Sequence, residues 1–285
     1  MSKLAGIVPD LDEAIYHAHP SLSSTGARQL LDSPAKFRWA QTHPKPPKQA
    51  FDLGSAAHTK ILGAGSGVIA YPAEHITAGG NVSTKAATVA WAAEQRQAGL
   101  IPVSPHEIDA VDAMAESVLA HPVARRLLEQ KDNQREVSMF ATCPDTGVEM
   151  RARFDLHAAD SGDLKSARDA SPKGFAKAVA QHGYNVQQGW YQDVREIITG
   201  ERGTFTFIVV ESTAPYLVGV YQLDYSFEDM GKVKALAARN IYQQCLEHDV
   251  WPGYSSDTQT LQAPQYAIYD YMDEFEADEP MKVGN

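Results

Sequence analysis

From Val148 to Leu156 the apolar residues Met150, Ala152, Phe154 and Leu156 alternate with Arg151, Arg153 and Asp155. That two-residue period is the signature of a strand with one face in a core and the other turned away from it. Similar patterns predict strands at about 136–142, 163–167, 204–212 and 216–223. Elsewhere the period lengthens to that of a helix: Ile108, Val111, Met114, Ala115, Val118 and Leu119 recur at spacings of three and four within Ser104–His121, behind a capping box of Ser104 and Glu107. Further helices are predicted at Thr84–Ala98, 173–182, 186–199 and Ser226–His248. Near the start, Ser24 or Thr25 caps a helix through Leu31, and Ser33-Pro34 restarts it with a cap and a proline at the first helical position. Lys45-Pro46-Pro47-Lys48 ends that unit, and Gly63–Ser83 reads as loop. No internal repeat is visible.

The order of helix, three strands, helices and more strands predicts an α/β fold, a central mixed sheet flanked by helices. One domain is expected over residues 1–254, with a helical part at 1–50 and a helical accessory lobe at 84–130. An acidic tail at 255–285 is expected to be a disordered, solubilising segment; docking to a partner and mimicry of DNA are the alternatives.

Composition narrows the classes. The net charge is −11, but the residues after Tyr254 carry −6 of it. Lys and Arg gather at Arg28, Lys36, Arg38, Lys45, Lys48 and Lys60, with Lys173 and Lys177 further on. Such runs are either solvated faces or a local track for nucleic acid. Cys143 and Cys245 are the two cysteines, too few for a four-cysteine metal cluster. No apolar run reaches the ~18–20 residues that span a bilayer, and the N-terminus lacks a signal-peptide core, so a cytoplasmic protein with no membrane partner is expected.

The chemistry concentrates at Asp163-Leu164-Lys165. On a strand Asp163 and Lys165 project to one face. The connection His157–Gly162 is turn-rich, so a hairpin brings the Asp155 carboxylate beside Asp163, and two converging carboxylates form a hard-oxygen site for Mg²⁺ or Mn²⁺. Lys165 is placed to orient a water or to stabilise developing charge. An ordinary ion pair also satisfies the Asp-x-Lys spacing. His58 shares a helix face with Ile61 and Leu62 and fits either a ligand or a hydrogen-bonded core residue. Gln187 and Tyr191 stack one turn apart. His157 reads as an exposed turn residue.

Together, Gly54-x-x-x-His58, Asp155, Asp163-x-Lys165 and Gln187-x-x-x-Tyr191 resemble the PD-(D/E)xK nuclease superfamily, in the branch of RecB-type domains. Asp163 stands where many members carry Glu. The flanks are similar to the RecE-like family of exodeoxyribonuclease VIII and its phage relatives: Tyr16-His17 to Pro20, Leu22-Ser23-Ser24, Ser33-Pro34, Glu136 with Ser138, Arg151-x-Arg153-x-Asp155, Phe207–Glu211 and Trp251-Pro252-Gly253-Tyr254. The likeness runs from about Tyr16 to about Tyr254. It implies that His58, Asp155, Asp163 and the Leu164 carbonyl bind metal and that Asp155, Asp163 and Lys165 are catalytic. Gln187, Tyr191 and Arg153 would contact substrate. It further implies a Mg²⁺-dependent (or Mn²⁺-dependent) exonuclease on double-stranded DNA ends, digesting one strand 5′ to 3′ and leaving 3′ overhangs for a RecT-like annealing protein. A ring-shaped homo-oligomer, a tetramer, and a phage or prophage origin in a bacterial cytoplasm belong to the same implication. Another nuclease of the superfamily and a non-catalytic DNA-binding or scaffold protein are the alternatives.

Overall fold

In the computed structural model, residues 4–43 and 49–275 are described here, without the side chains of residues 49–52 and 275. The chain order is β1 (Gly6–Val8), α1 (Glu13–Ala18), β2 (Leu22–Ser23), α2 (Ser24–Asp32), α3 (Pro34–Thr42), α4 (Gln49–Leu62), β3 (Gly67–Ala70), α5 (Ala86–Gln97), β4 (Leu100–Val103), α6 (Pro105–Ala120) and α7 (Pro122–Leu128). Then follow β5 (Gln134–Thr142), β6 (Glu149–His157), β7 (Asp160–Ala167), α8 (Pro172–His182), α9 (Tyr184–Thr199), β8 (Thr204–Glu211), β9 (Val218–Tyr221), α10 (Tyr225–His248) and α11 (Gln265–Phe275). Contacts divide the chain into two units, Met1–Pro252 and Gly253–Asn285.

The first unit is α/β, built on a mixed sheet in the order β1-β5-β6-β7-β8-β9, with β2 pairing parallel to β6. Strand β8 explains the sheet's composition. Its Phe205, Phe207 and Val209 enter one core cluster with Trp190 and Val194 of α9 and Ala235 and Ala238 of α10. Its Ile208 and Val210 enter another with Ala57 and Leu62 of α4, Met114 and Val118 of α6 and Leu127 of α7. A strand covered on both faces reads as a continuous apolar run, and Phe-Ile-Val-Val is that run.

Strand β6 is different. Met150, Ala152 and Phe154 are buried, while Arg151, Arg153 and Asp155 line a cleft on the other side. The β6–β7 hairpin forms where the turn chemistry requires it, yet the strands pair at Leu156–Gly162 and then part, because β7 leaves to run parallel to β8 along its whole length. Helices α8 and α9 make the crossover between those parallel strands. The divergence leaves the Leu164 N–H without a strand partner, and the Asp155 carboxylate accepts it at 2.7 Å.

Several expectations change. The N-terminal part is not wholly helical, since β1 and β2 join the sheet; strands of two or three residues carry no readable period. The cap of α2 is Ser23, whose hydroxyl accepts from Gly26 N at 3.2 Å, because β2 runs directly into the helix. Within 63–83 lie β3 and a 3₁₀ turn at Ala73–His75. Of the helices placed in an accessory lobe, α6 and α7 instead cover the sheet through Met114, Val118, Ala124 and Leu127. Helix α5 packs on β4 of the separate two-stranded β3–β4 sheet, which α4 and Val111 of α6 also contact. In the second unit, Gln265–Phe275 forms α11 rather than a structureless tail. The break assigned to Lys45–Lys48 lies outside the described residues.

Candidate active site

Helix α4 can lie close to β7 because Gly54 has no side chain: a Cβ there would sit 2.8 Å from the Ser166 hydroxyl. One turn later His58 reaches over the parted strands, its Nε2 2.9 Å from Asp155 Oδ2 and its Nδ1 3.3 Å from Glu136 Oε1. One ligand atom from each of His58, Glu136 and Asp155 lies within 4.8 Å of the others, the group among the described residues able to hold a metal ion.

Glu136 is the site residue that the sequence reading left out of its set. It stands on β5 between the cross-strand pairs Arg135–Leu156 and Val137–Phe154, hence opposite Asp155. Like charges directly opposite are unfavourable, and its φ of 54° puts a non-glycine residue in the left-handed region. A strained backbone and two facing carboxylates persist where the surroundings hold them. Arg153 supplies part of that hold: its Nε donates to Glu136 Oε2 and its Nη1 to the Leu11 carbonyl at 3.0 Å. The signal available beforehand was the Glu136–Ser138 likeness, which marked the position without giving it a role.

Asp163 lies a step behind. Its Oδ1 accepts from Gln187 Nε2 at 2.5 Å and its Oδ2 meets the Lys165 ammonium. Both are buried, Asp163 at 2% and Gln187 at 5% exposure, and neither lines the cleft. The structure therefore brings His58, Asp155, Lys165 and Tyr191 to the cleft wall but gives Gln187 to Asp163. Arg153 reaches the wall with its guanidinium already engaged. Leu164 takes part through its N–H. Tyr191 packs its ring 5.0 Å from that of Phe154. His157 is half-buried at the end of β6, its ring 5.6 Å from Phe154, rather than an exposed turn residue.

The electrostatics are those of three largely buried carboxylates, Glu136, Asp155 and Asp163, each facing a cation, Arg153, His58 and Lys165. Burial raises Glu136, and the Asp155 charge raises it further. Burial likewise pushes Asp163 up to about 6 against the pull of Lys165. For Asp155 burial is outweighed by the His58 charge and hydrogen bond, which hold it below its ordinary value. Burial disfavours the charged His58 ring, yet Asp155 and Glu136 carry it up to about 9. Lys165 is raised by Asp163 and Asp155 in spite of burial. Two carboxylates raised and a histidine held protonated are groups that a divalent cation would satisfy, and one imidazole with hard oxygens suits such an ion. The donor set fits a metal.

The cleft above this group has a volume of 1660 Å³ and runs between residues 12–29 on one side and Gly65, Ser66 and Arg96–Ile101 on the other. Among the described residues, none of the basic side chains that suggested a DNA track is on its walls. Lys36 pairs with Asp32, Lys60 with Asp112, Arg28 donates to the His182 carbonyl, and Arg38 lies over the Trp251 ring. Lys45 and Lys48 lie outside the described residues.

A mixed sheet whose central hairpin parts over an Asp, an Asp-x-Lys and a helix-borne histidine defines a PDDEXK-like α/β fold. The chain belongs to the family described as a PDDEXK-like domain of unknown function (DUF3799), which it matches over residues 23–264. Among solved structures it is similar to a protein from Eubacterium rectale described as a "Putative exonuclease", at 11% identity and a TM-score of 0.59, over 94% of this chain and 99% of that one. LHK-Exo in complex with dAMP aligns at 13% identity over 70% of this chain and 95% of its own, with a TM-score of 0.21, too low to bear on the fold. No curated protein matches. No helix among the described residues is long and apolar enough to cross a membrane.

Proposed function

We propose that the protein is a metal-dependent deoxyribonuclease, a RecE-like exonuclease that takes Mg²⁺ (Mn²⁺ in its place) and digests one strand of linear duplex DNA from its end, 5′ to 3′. The observation that carries the reading is the convergence of His58, Glu136 and Asp155 beside Lys165 on the floor of a large cleft. His58, Asp155 and Glu136 would hold the cation, with Asp163 contributing its charge from behind. Bound there, a divalent cation neutralises charge on the phosphoryl oxygens and lowers the pKa of water.

The chain's own groups do the rest. Lys165 keeps its proton at Nζ and sits 5.0 Å from the Tyr184 ring centroid, with Asp163 on it as well. That places one fixed positive charge where negative charge grows on the phosphodiester. Gln187 fixes Asp163, and Asp163 fixes Lys165, so the substrate role expected of Gln187 becomes orientation of the lysine. Arg153 orients Glu136, while Tyr191 and Tyr184 wall the cleft. Holding Glu136 on a strained backbone opposite Asp155 is a cost from which a binding module gains nothing, and that disfavours the non-catalytic reading.

The test is digestion of end-labelled linear duplex with Mg²⁺ or with a chelator. Metal-dependent loss of label from the 5′ end, absent in Asp155→Asn, supports the proposal. Undiminished digestion by that variant, or no digestion by wild type in either metal, overturns it.

A further inference from the structure

Helix α1 is six residues long and buries a single side chain, that of Tyr16; the other five are exposed. Asp12 caps it, accepting from Ile15 N at 3.1 Å, and the Tyr16 N–H donates to the Asp12 carbonyl at 2.9 Å, which sets the ring one turn into the helix. A helix so short is not held by its own propensity, so what fixes it lies outside. Two arginines of β6 do so. Arg151 donates to the carbonyls of His17, His19 and Ser21, and Arg153 to that of Leu11. Both guanidinium carbons also lie over the Tyr16 ring, at 5.2 and 5.6 Å from its centroid, within the distance at which an aromatic face attracts a cation. Burial pushes the Tyr16 hydroxyl up to about 12, so the ring stays neutral. The proposed function gives Tyr16 no role.

Resting on the metal-site reading above, we infer that Tyr16 is a positioning residue for the cation: its ring fixes the Arg153 guanidinium, and Arg153 in turn holds Glu136 with one oxygen turned to the ion site. The guanidinium has three supports. Its Nε donates to Glu136 Oε2, its Nη1 donates to the Leu11 carbonyl at 3.0 Å, and its face lies on Tyr16. The Leu11 carbonyl belongs to the segment that Tyr16 anchors, so two of the three depend on this ring. With Oε2 engaged, Glu136 presents Oε1 to His58 Nδ1 at 3.3 Å. Glu136 does not keep that pose unaided, since its left-handed backbone and the Asp155 charge opposite both favour withdrawal. Groups that orient a ligand typically set roughly 10–100-fold of metal affinity. Tyr16 stands one contact further out, and its share is expected to be about fivefold or more. The competing role is packing alone: the ring also meets Phe140 edge-on at 6.2 Å, and loss of that contact would lower stability without touching the ion.

The experiment measures Mn²⁺ affinity of the full chain by calorimetry for wild type, Tyr16→Phe, Tyr16→Leu, Arg153→Lys and the double variant Tyr16→Leu/Arg153→Lys, with melting curves to confirm folding. Tyr16→Met, which fills more of the ring's space without an aromatic face, takes the place of Tyr16→Leu if that variant does not fold. Tyr16→Leu should bind Mn²⁺ about fivefold more weakly or worse, and Tyr16→Phe should restore affinity to within about twofold. Arg153→Lys keeps the charge but loses the planar fork, so it should weaken binding at least as much, and adding Tyr16→Leu to it should cost nothing further. In digestion, Tyr16→Leu should raise the Mg²⁺ concentration for half-maximal rate by a similar factor and change the saturated rate far less, a split that lost stability alone does not produce. The inference is overturned if Tyr16→Leu or Arg153→Lys binds Mn²⁺ as wild type does, if Tyr16→Phe loses as much as Tyr16→Leu, if the two losses add in the double variant, or if wild type binds no Mn²⁺. Weakened Mn²⁺ binding in Tyr16→Leu, from a wild type that binds the ion but digests no DNA, would support the role of Tyr16 and sink the nuclease reading. Metal-dependent digestion with unchanged affinity in Tyr16→Leu would do the reverse, so the two failures are separable.

Discussion

At the scale of residues the site is a charge-balance problem, and its solution is testable with metal alone. A cation that binds the folded state raises the melting temperature by mass action. Asp155→Asn and Glu136→Gln each remove a ligand oxygen's charge, so both should lose most of the Mg²⁺- or Mn²⁺-induced shift seen by scanning calorimetry. Lys165→Ala should keep that shift while losing cleavage by about 100-fold or more, since the lysine acts on the phosphodiester and not on the ion. A full metal shift in Glu136→Gln would return the metal to His58, Asp155 and Asp163. A second expectation follows from His58, whose pKa in the folded protein stands at about 9 against an ordinary value of 6.5. A group raised on folding contributes stability that is complete below the lower value and is lost as pH rises through the higher one. Without metal, wild type should therefore lose stability between pH 6.5 and 9 relative to His58→Gln, as denaturant titrations at each pH would show. Metal must displace the same proton, so affinity should climb with pH up to about 9, roughly tenfold per unit at most, and calorimetry in buffers of different ionisation enthalpy should detect the proton released. A flat difference between the two proteins across that window would show that His58 is neutral in the free site.

At the scale of elements the sequence reveals what is periodic and hides what is relational. The alternation of Met150, Ala152, Phe154 and Leu156 and the helical spacing of Ile108 to Leu119 mark β6 and α6 because each buries its own stripe. Strands β1 and β2 bury too little to leave a pattern. That Asp163 would spend its oxygens on Gln187 and Lys165, and that Glu136 would take a place at the metal group, depends on where β6 and β7 part and on the backbone at Glu136; no local spacing encodes either. The glycines are intermediate, visible as residues but explained only by neighbours. Gly231 of α10 lies against the Asn185 carbonyl, and a Cβ on Gly189 would come within 2.9 Å of the Gly231 backbone. Helices α9 and α10 thus touch through backbone, which cannot retreat as a flexible side chain can. Gly231→Val should destabilise by about 2–3 kcal/mol or more through overpacking, read as a lower midpoint in urea with an unchanged slope. Because α9 carries Gln187 and Tyr191, cleavage should fall more than stability requires. Wild-type stability in Gly231→Val would mean that the helices have room between them.

At the scale of the whole molecule the open question is how an acidic protein would stay on DNA. With a net charge of −11 and Arg28, Lys36, Arg38 and Lys60 engaged away from the cleft, electrostatic affinity for duplex is expected to be modest. We propose encirclement in its place: a closed homo-oligomeric ring, a tetramer, that admits a duplex end and so stays attached without many phosphate contacts, handing its 3′ overhang to a RecT-like annealing protein. Rings follow from heterologous contacts that close, and encirclement needs basic groups only along the channel. Such an enzyme must find an end. It should degrade linear plasmid, spare covalently closed circles, and continue on bound molecules after excess competitor DNA is added. The salt dependence of binding should have a shallow slope, that of a few released counterions. Sedimentation should show a single assembly several times the 31.1 kDa of one chain. Efficient cutting of closed circles, or full activity in a strictly monomeric particle, would remove the reason for a ring and favour a structure-specific nuclease built on the same site.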